Sequence, residues 1–364
     1  MEHGHVRGLE LARRFYLEAV APLLARRFGG LTHSAALIGA GSEVLGYDTE
    51  RSTDHDWGLR LQLFLGAADV AGQRESIDAA LAGELPREFL GYPTGFSPPG
   101  ADGTRHMRAA ADRPLRHGVV VAEPADWLAG HLGFDPTRGV GLADWLATST
   151  QAFAEVTAGA LFHDGLGLLG PVRERLAWYP DDVWRYILAC QWRRISQEEA
   201  FVGRAGEAGD ELGSAVTCAR LVRDLIRLVL LMHRRYPPYG KWLGSAFATV
   251  PCAADLAPVL TAAVSATTWR ERERHLAAAY EAVGALHNDL GLTPPVDPRT
   301  RPYHGRPYRV LHAERFTEAL LESIADPEVR RLPLTGAVDQ FADSTDVLCH
   351  RTRARRVAGA LWGT

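Results

Sequence analysis

The sequence predicts an α+β domain with a small mixed sheet over residues 1–135, followed by an α-helical bundle domain over residues 136–364. Three observations carry this. The first third of the chain reads helix, strand, turn, strand, helix, loop, strand. Past a Gly-rich stretch near residues 133–141, strand signals fade and helical periodicity takes over. The length of 364 residues suits two domains better than one.

Taken in order, residues 9–28 place Leu11, Phe15, Ala19, Leu23 and Leu24 at helical spacing, and Gly29-Gly30 ends the run. Residues 35–38 form a short apolar run that predicts a buried strand ending in Gly39-Ala40-Gly41-Ser42. A polar turn leads to a second strand, read as starting at Asp54-His55-Asp56 and alternating through Leu65. Residues 73–85 suit a helix, residues 86–116 a long loop rich in Pro, Gly and charge, and residues 117–122 a third strand. In the second half, residues 143–162, 181–202, 210–236, 253–266 and 269–290 carry helical periodicity. Asp181 and Asp210 suit N-caps, and Pro237-Pro238 ends the longest helix. Residues 294–307 read as irregular, with helices resuming at Ala313 and near Thr345.

Composition narrows the function classes. Apolar residues make up 46% and charged residues 23%, which excludes a disordered chain. The net charge of -4 argues against a dedicated nucleic-acid binder. Lys241 is the single lysine among 40 basic residues, and a lone lysine is a candidate phosphate partner. Cys190, Cys218, Cys252 and Cys349 are too scattered for a zinc or redox motif and predict free thiols. The charged start and the short apolar runs, of which residues 225–232 are broken by Arg227, predict a cytoplasmic protein without membrane contact.

The stretch that speaks of chemistry runs from Gly41-Ser42 through eleven residues to Asp54-x-Asp56. Glycine admits a phosphate close to the backbone, and the Ser42 hydroxyl adds a donor. Two carboxylates at i and i+2 of a strand share a face and repel unless a hard cation, magnesium first, sits between them. This pattern resembles the signature of the DNA polymerase β-like nucleotidyltransferase superfamily, most closely the aminoglycoside-type and minimal nucleotidyltransferases. Residues 178–194 and 210–241 also resemble a bacterial family of largely uncharacterised proteins with this fold and a helical C-terminal domain.

The resemblance implies a magnesium-dependent transfer of a nucleoside monophosphate from a nucleoside triphosphate, with ATP the expected donor, to a small-molecule acceptor, releasing pyrophosphate. It implies Asp54 and Asp56 as catalytic metal ligands, and Gly41, Ser42 and Lys241 as phosphate contacts. It places the acceptor's general base at a third carboxylate or at Glu198 or Glu199. Two departures stand out. His55 occupies a usually apolar position, and the strand at 117–122, where the third carboxylate belongs, contains no acid. Glu123 just beyond it is the nearest replacement, with Asp126 second.

Rival functions are a catalytically degenerate nucleotide-binding or regulatory protein, which the missing acid motivates, and an AMPylating, toxin-like enzyme that modifies proteins. A third rival comes from Arg227 and His233, whose spacing resembles the loose Arg-His motif of HEPN ribonucleases. Arg220, Arg223, Arg227 and Arg234 recur at helical spacing, as a phosphate-facing stripe or as a solvated face. Trp57 suits either base stacking or the core. His287, His304 and His312 with Asp297 lack zinc-helix spacing and suit lone core or surface positions. Gly39-x-Gly41 lacks the third glycine of a dinucleotide fingerprint, and no serine sits in a G-x-S-x-G elbow.

Overall fold

The computed structural model describes residues 6–101, 103–109 and 112–362, with Asp54 described by its backbone alone. The chain divides into two compact units: residues 1–140 with 152–177, and residues 141–151 with 178–364.

The first unit opens with helix α1 (Gly8–Phe15) and α2 (Ala21–Arg27), joined through a π-helical turn at Tyr16–Val20. Pro22, early in α2, has no N–H to give to the preceding turn, and the helix widens there. Leu11, Phe15, Tyr16, Val20, Leu23 and Leu24 are all buried. Strand β1 (His33–Leu37) follows, then β2 (Arg60–Leu65), α3 (Ala67–Glu84), β3 (Gly118–Ala122), α4 (Pro124–Leu132) and, after the excursion through α5 (Leu142–Ala147) and α6 (Thr150–Thr157), β4 (Ala160–Asp164) and α7 (Leu169–Arg175). The sheet runs in the order β3, β2, β1, β4. β1 is antiparallel to both β2 and β4, whereas β2 and β3 are parallel.

Residues opposite each other in a ladder share a face. Leu61, Leu63 and Leu65 therefore line up with Ala35, Val119 and Val121, and they form the core with α1, α2 and α3. The other face carries Ser34, Ala36, Arg60, Gln62, Phe64, Gly118, Val120 and Ala122. Val120 is 41% exposed in mid-strand, so this face is open beside it.

Two sequence expectations shift here. β4 begins inside the helix expected over 143–162 and runs past its end. Gly159, at φ +67°, breaks that helix, and its N–H bonds to the Val44 carbonyl at 2.8 Å as the chain turns into β4. The expected loop at 86–116 carries short backbone pairings among its described residues. Phe96 bonds to Arg116, Ser97 to His106 and Gly100 to Thr104 through their backbones.

The second unit is helical, as expected. Its long helices are α8 (Asp181–Glu198), α9 (Phe201–Glu207), α10 (Glu211–Met232), and after α11 (Leu243–Phe247), α12 (Ala253–Ser265), α13 (Trp269–Asp289) and α14 (Glu314–Glu322). Asp210 caps α10 by accepting the Gly213 N–H at 2.7 Å. Asp181 is the first residue of α8 and not its cap, which is Pro180. Among the described residues, no helix is long and apolar enough to cross a membrane.

Candidate functional site

Antiparallel pairing of β1 and β2 brings the C-terminal end of β1 and the N-terminal end of β2 to the same end of the sheet. The chain leaves β1 through Ile38, whose N–H and carbonyl are both met by the Gln62 amide at 3.0 Å. Gln62 thus extends the ladder by one side chain. Gly39 then turns with φ +92°, and a Cβ there would lie 3.1 Å from the Trp127 ring. Its N–H bonds to the Glu155 carbonyl at 2.7 Å. Gly41 sits at φ +148°, where a Cβ would press on Arg60 and lie 2.7 Å from Glu43 Oε2. Ser42 opens a tight turn closed by Tyr47 N–H to Ser42 O at 2.9 Å. Positive φ at Gly39 and Gly41, and the crowding of a Cβ at Gly41 by Arg60 and Glu43, account for glycine at these two positions.

The return to β2 differs from the expected strand. Glu50–Asp54 is a 3-10 turn, His55 is extended, and Asp56 is left-handed at φ +47°. Asp54 and Asp56 are therefore not successive residues on one strand face. The Asp54 side chain is outside the described residues. Asp56 is exposed, and Arg105 bonds to it twice: Asp56 N–H donates to Arg105 O at 2.8 Å, and Arg105 N–H donates to Asp56 Oδ1 at 3.1 Å. The paired segment 95–108 is thereby pinned over the start of β2.

Arg60 binds the two halves of this end together. Its Nε donates to Glu43 Oε1 at 2.7 Å, and its Nη2 lies 2.6 Å from that oxygen and 2.6 Å from the Ala40 carbonyl. The Glu43 side chain is 1% exposed, and among the described residues its buried Oε2 has no hydrogen-bond partner. Burial pushes the Glu43 carboxyl above the usual carboxylate range, and the Arg60 charge opposes this. Beside the pair lies a cleft of about 170 Å³ lined by Asp56, Arg60, Gln62, Arg105, Phe96 and Val120, among others.

Glu123 does not join this end. β3 runs parallel to β2 with Gly118 beside Arg60 and Ala122 beside Phe64. Glu123 follows the far end of β3, while Asp56 precedes the near end of β2, so at least ~13 Å of strand separates them. Glu123 instead caps α4, accepting the Asp126 N–H at 2.6 Å, and Asp126 lies at that far end too. The strand itself turns Gly118 and Val120, not an acid, toward the cleft.

Trp57 is core: it is 1% exposed, and its indole N–H donates to Asp48 Oδ2 at 3.1 Å. The same carboxylate oxygen accepts the Gly8 N–H at 2.7 Å and so anchors the start of α1. Lys241 belongs to the second unit, exposed on a 3-10 turn with Nζ 4.8 Å from the Trp242 ring centroid.

The arginines of α10 are engaged one by one. Arg220 pairs with Glu198 at 2.9 Å, Arg223 with Asp343 at 2.6 Å and Arg227 with Asp339 at 3.2 Å. Arg234, just past the helix, lies 3.6 Å from Asp181. With Arg227 buried on Asp339 and His233 Nδ1 on the Val229 carbonyl at 2.9 Å, the expected ribonuclease pair has no open arginine. Glu199 is buried, accepts the Leu311 and Ala313 N–H groups at 2.6 and 3.0 Å, and is pushed up by burial to about 7. His287 is core, and His312 lies 3.2 Å from Glu314. All four cysteines are free thiols. Among the described residues, no three His, Cys, Asp or Glu side chains come together as a metal site. At the cleft the described donor is the Asp56 carboxylate, an oxygen ligand of the type that hard cations take.

Glu43, Arg60, Gln62 and Arg105 were not singled out in the sequence. A charged residue heading the largely apolar strand Leu61–Leu65 was a legible signal for Arg60. Arg105 left none.

A family model described as a domain of unknown function (DUF4037) matches residues 145–243. That stretch begins in α5 and ends at the start of α11, so the cleft and the Gly39–Ser42 turn lie outside it. None of the curated proteins and none of the solved structures compared with the chain matches it.

Proposed function

We propose that the protein is a magnesium-dependent nucleotidyltransferase that moves a nucleoside monophosphate from a nucleoside triphosphate to a small-molecule acceptor. One observation supports this above the rest. The β1–β2 pairing brings the glycine turn ending in Ser42 and the Asp54–Asp56 segment to one end of the sheet, next to a cleft lined by Arg60, Arg105 and Asp56.

In this reading, the turn at Gly41 and Ser42 meets the phosphate chain with backbone N–H groups and one hydroxyl. Arg60 keeps the turn in place through Ala40 and Glu43 and adds positive charge to the cleft wall. Asp54 and Asp56 would hold magnesium. Bound there, the metal neutralises charge on the phosphates and on the leaving pyrophosphate. Arg105 and the paired segment 95–108 hold Asp56 in its left-handed conformation, which fixes where its carboxylate stands. The acceptor hydroxyl attacks the α-phosphorus, its proton passes to solvent or a base on the acceptor side, and the bond to the β-phosphate oxygen breaks. Positioning of the two reactants carries much of the rate.

A second reading has its own observation. Gly118 and Val120 stand where a third carboxylate is expected, and this favours a protein that binds the nucleotide without turning it over. Pyrophosphate release separates the two. The wild-type protein, given magnesium, each ribonucleoside triphosphate and a panel of hydroxylated and amino acceptors, is expected to release pyrophosphate with one of them. Asp56→Ala is expected to lower that rate by about 10²–10³-fold, the loss typical of removing one charge-stabilising group. Magnesium-dependent binding without release in the wild type would favour the degenerate reading.

A further inference from the structure

The cleft beside Asp56 holds charges of both signs that do not neutralise one another. Asp56 and Arg105 stand directly across from each other, joined by Asp56 N–H to Arg105 O and Arg105 N–H to Asp56 Oδ1. Yet among the described residues the Arg105 guanidinium has no hydrogen bond or ion pair, and the Asp56 carboxylate, which accepts the Arg105 backbone N–H, forms no ion pair with the guanidinium of Arg105 or Arg60. The arginines of α10 behave otherwise, each lying within an ion pair. Arg60 is committed at Nε and Nη2 to Glu43 and Ala40, while its side chain is 20% exposed and lines the cleft. Phe96 and Val120 supply an apolar wall, which lowers the local dielectric and strengthens any charge pairing inside.

Arg105 without an ion pair, a separate carboxylate and the partly exposed Arg60 beside its Glu43 partner, all at one small cleft, suit a ligand that carries several negative charges and brings its own cation. Arg60 is anchored at the Gly39–Ser42 turn, and Arg105 is anchored at Asp56. A ligand that meets both must reach from one to the other. A chain of phosphates offers a separate anionic group to each arginine, whereas a monophosphate offers one group to both.

We propose that Arg105 is a specificity-determining residue that grips the distal phosphates of a bound nucleoside triphosphate and makes the cleft prefer triphosphates over monophosphates. This rests on the nucleotidyltransferase reading of the same cleft. Arg105 is exposed, so its replacement leaves the core intact. The fork of an arginine can hold two phosphate oxygens at once, which a lysine does not reproduce.

The test is calorimetric titration of the full chain, in magnesium, with each ribonucleoside triphosphate and its monophosphate, for wild type, Arg105→Ala and Arg105→Lys. Arg105→Ala is expected to weaken triphosphate binding about tenfold to hundredfold, the worth of a hydrogen bond to a charged group, and to leave monophosphate binding within twofold. Arg105→Lys is expected to fall between the two. Equal weakening of triphosphate and monophosphate, or no weakening, in a variant whose wild type binds triphosphate overturns the assignment of Arg105 alone. A wild type that binds none of these nucleotides overturns the reading of the cleft and this assignment with it.

Discussion

Arg60→Ala is expected to destabilise the protein by about 3–5 kcal/mol, the cost of leaving a buried charge without its partner. The partner is Glu43, whose side chain is 1% exposed and whose Oε2 has no hydrogen-bond partner among the described residues. Alanine also leaves the Ala40 carbonyl without its donor. Glu43→Gln is expected to cost less, because the amide keeps an acceptor for Arg60 and the charge left without a counter-ion is on Arg60, whose side chain is 20% exposed and reached by water. The Arg60→Ala loss depends on pH. Burial already raises the Glu43 carboxyl above its ordinary value, and removing Arg60 takes away the charge that opposes this. A carboxyl raised in the folded state contributes most below its unfolded value and loses that contribution as pH rises through the folded one. The deficit should therefore be largest near neutral pH and smaller in acid. Urea unfolding of both variants over a pH series checks this, and a deficit under about 1 kcal/mol at neutral pH would mean that solvent screens the pair.

His287 should make the helical unit acid-labile by about 3 kcal/mol between pH 6.5 and 4. The ring is 1% exposed. Trp192 Nε1–H faces its Nδ1 at 3.2 Å and Thr293 Oγ1 stands 3.1 Å from its Nε2. An indole nitrogen only donates, so Nδ1 is the acceptor and the proton sits on Nε2. Adding a second proton would set two N–H groups against each other in an apolar surround, and burial lowers the group from 6.5 to about 4. At about 1.4 kcal/mol per unit, the stability due to the neutral ring is present above pH 6.5 and is lost as pH falls toward 4. Glu199 has the opposite sign. Raised to about 7, it is most favourable below its unfolded value near 4.5 and less so as pH rises to 7. The two slopes oppose each other in the wild type, so the difference between variants is the cleaner observable. The cost of His287→Gln should shrink by about 3 kcal/mol from pH 6.5 to 4. A cost that stays constant over that range would show that His287 keeps its ordinary titration.

Much of the fold could be read because hydrophobic periodicity reports burial. The first helix, the three strands near residues 35, 60 and 118, and the long helices of the second half all follow from it. The strand Ala160–Asp164 could not, because its identity comes from pairing with β1 far back in the chain, while locally it continues a helical pattern. Gly159 was the one local sign of the break. The pairing within residues 86–116 was hidden for a related reason: its bonds are backbone to backbone and leave no side-chain rhythm.

At the candidate site, the spacing of Gly41-Ser42 and Asp54-x-Asp56 was legible, and both segments do stand at one sheet end. Their conformation was not. Asp56 takes a left-handed turn because Arg105 bonds to it from a segment almost fifty residues on, a partner no local pattern announces. Glu123 sat close to a strand in sequence but at the wrong end of it in space, since a parallel neighbour runs the same way as β2. Trp57, beside the two acids, went to the core because Asp48 supplies the acceptor its indole needs.

Nucleotide binding at the sheet end is tested most directly by thermal shift with each of the four ribonucleoside triphosphates, with and without magnesium, on wild type beside the Asp54→Ala/Asp56→Ala double variant. A bound ligand raises the melting temperature by mass action. A magnesium-dependent rise with one triphosphate in the wild type, absent in the double variant, is the result expected. A rise of equal size in both proteins would place the nucleotide elsewhere, and no rise with any triphosphate would contradict a nucleotide site at Asp54 and Asp56.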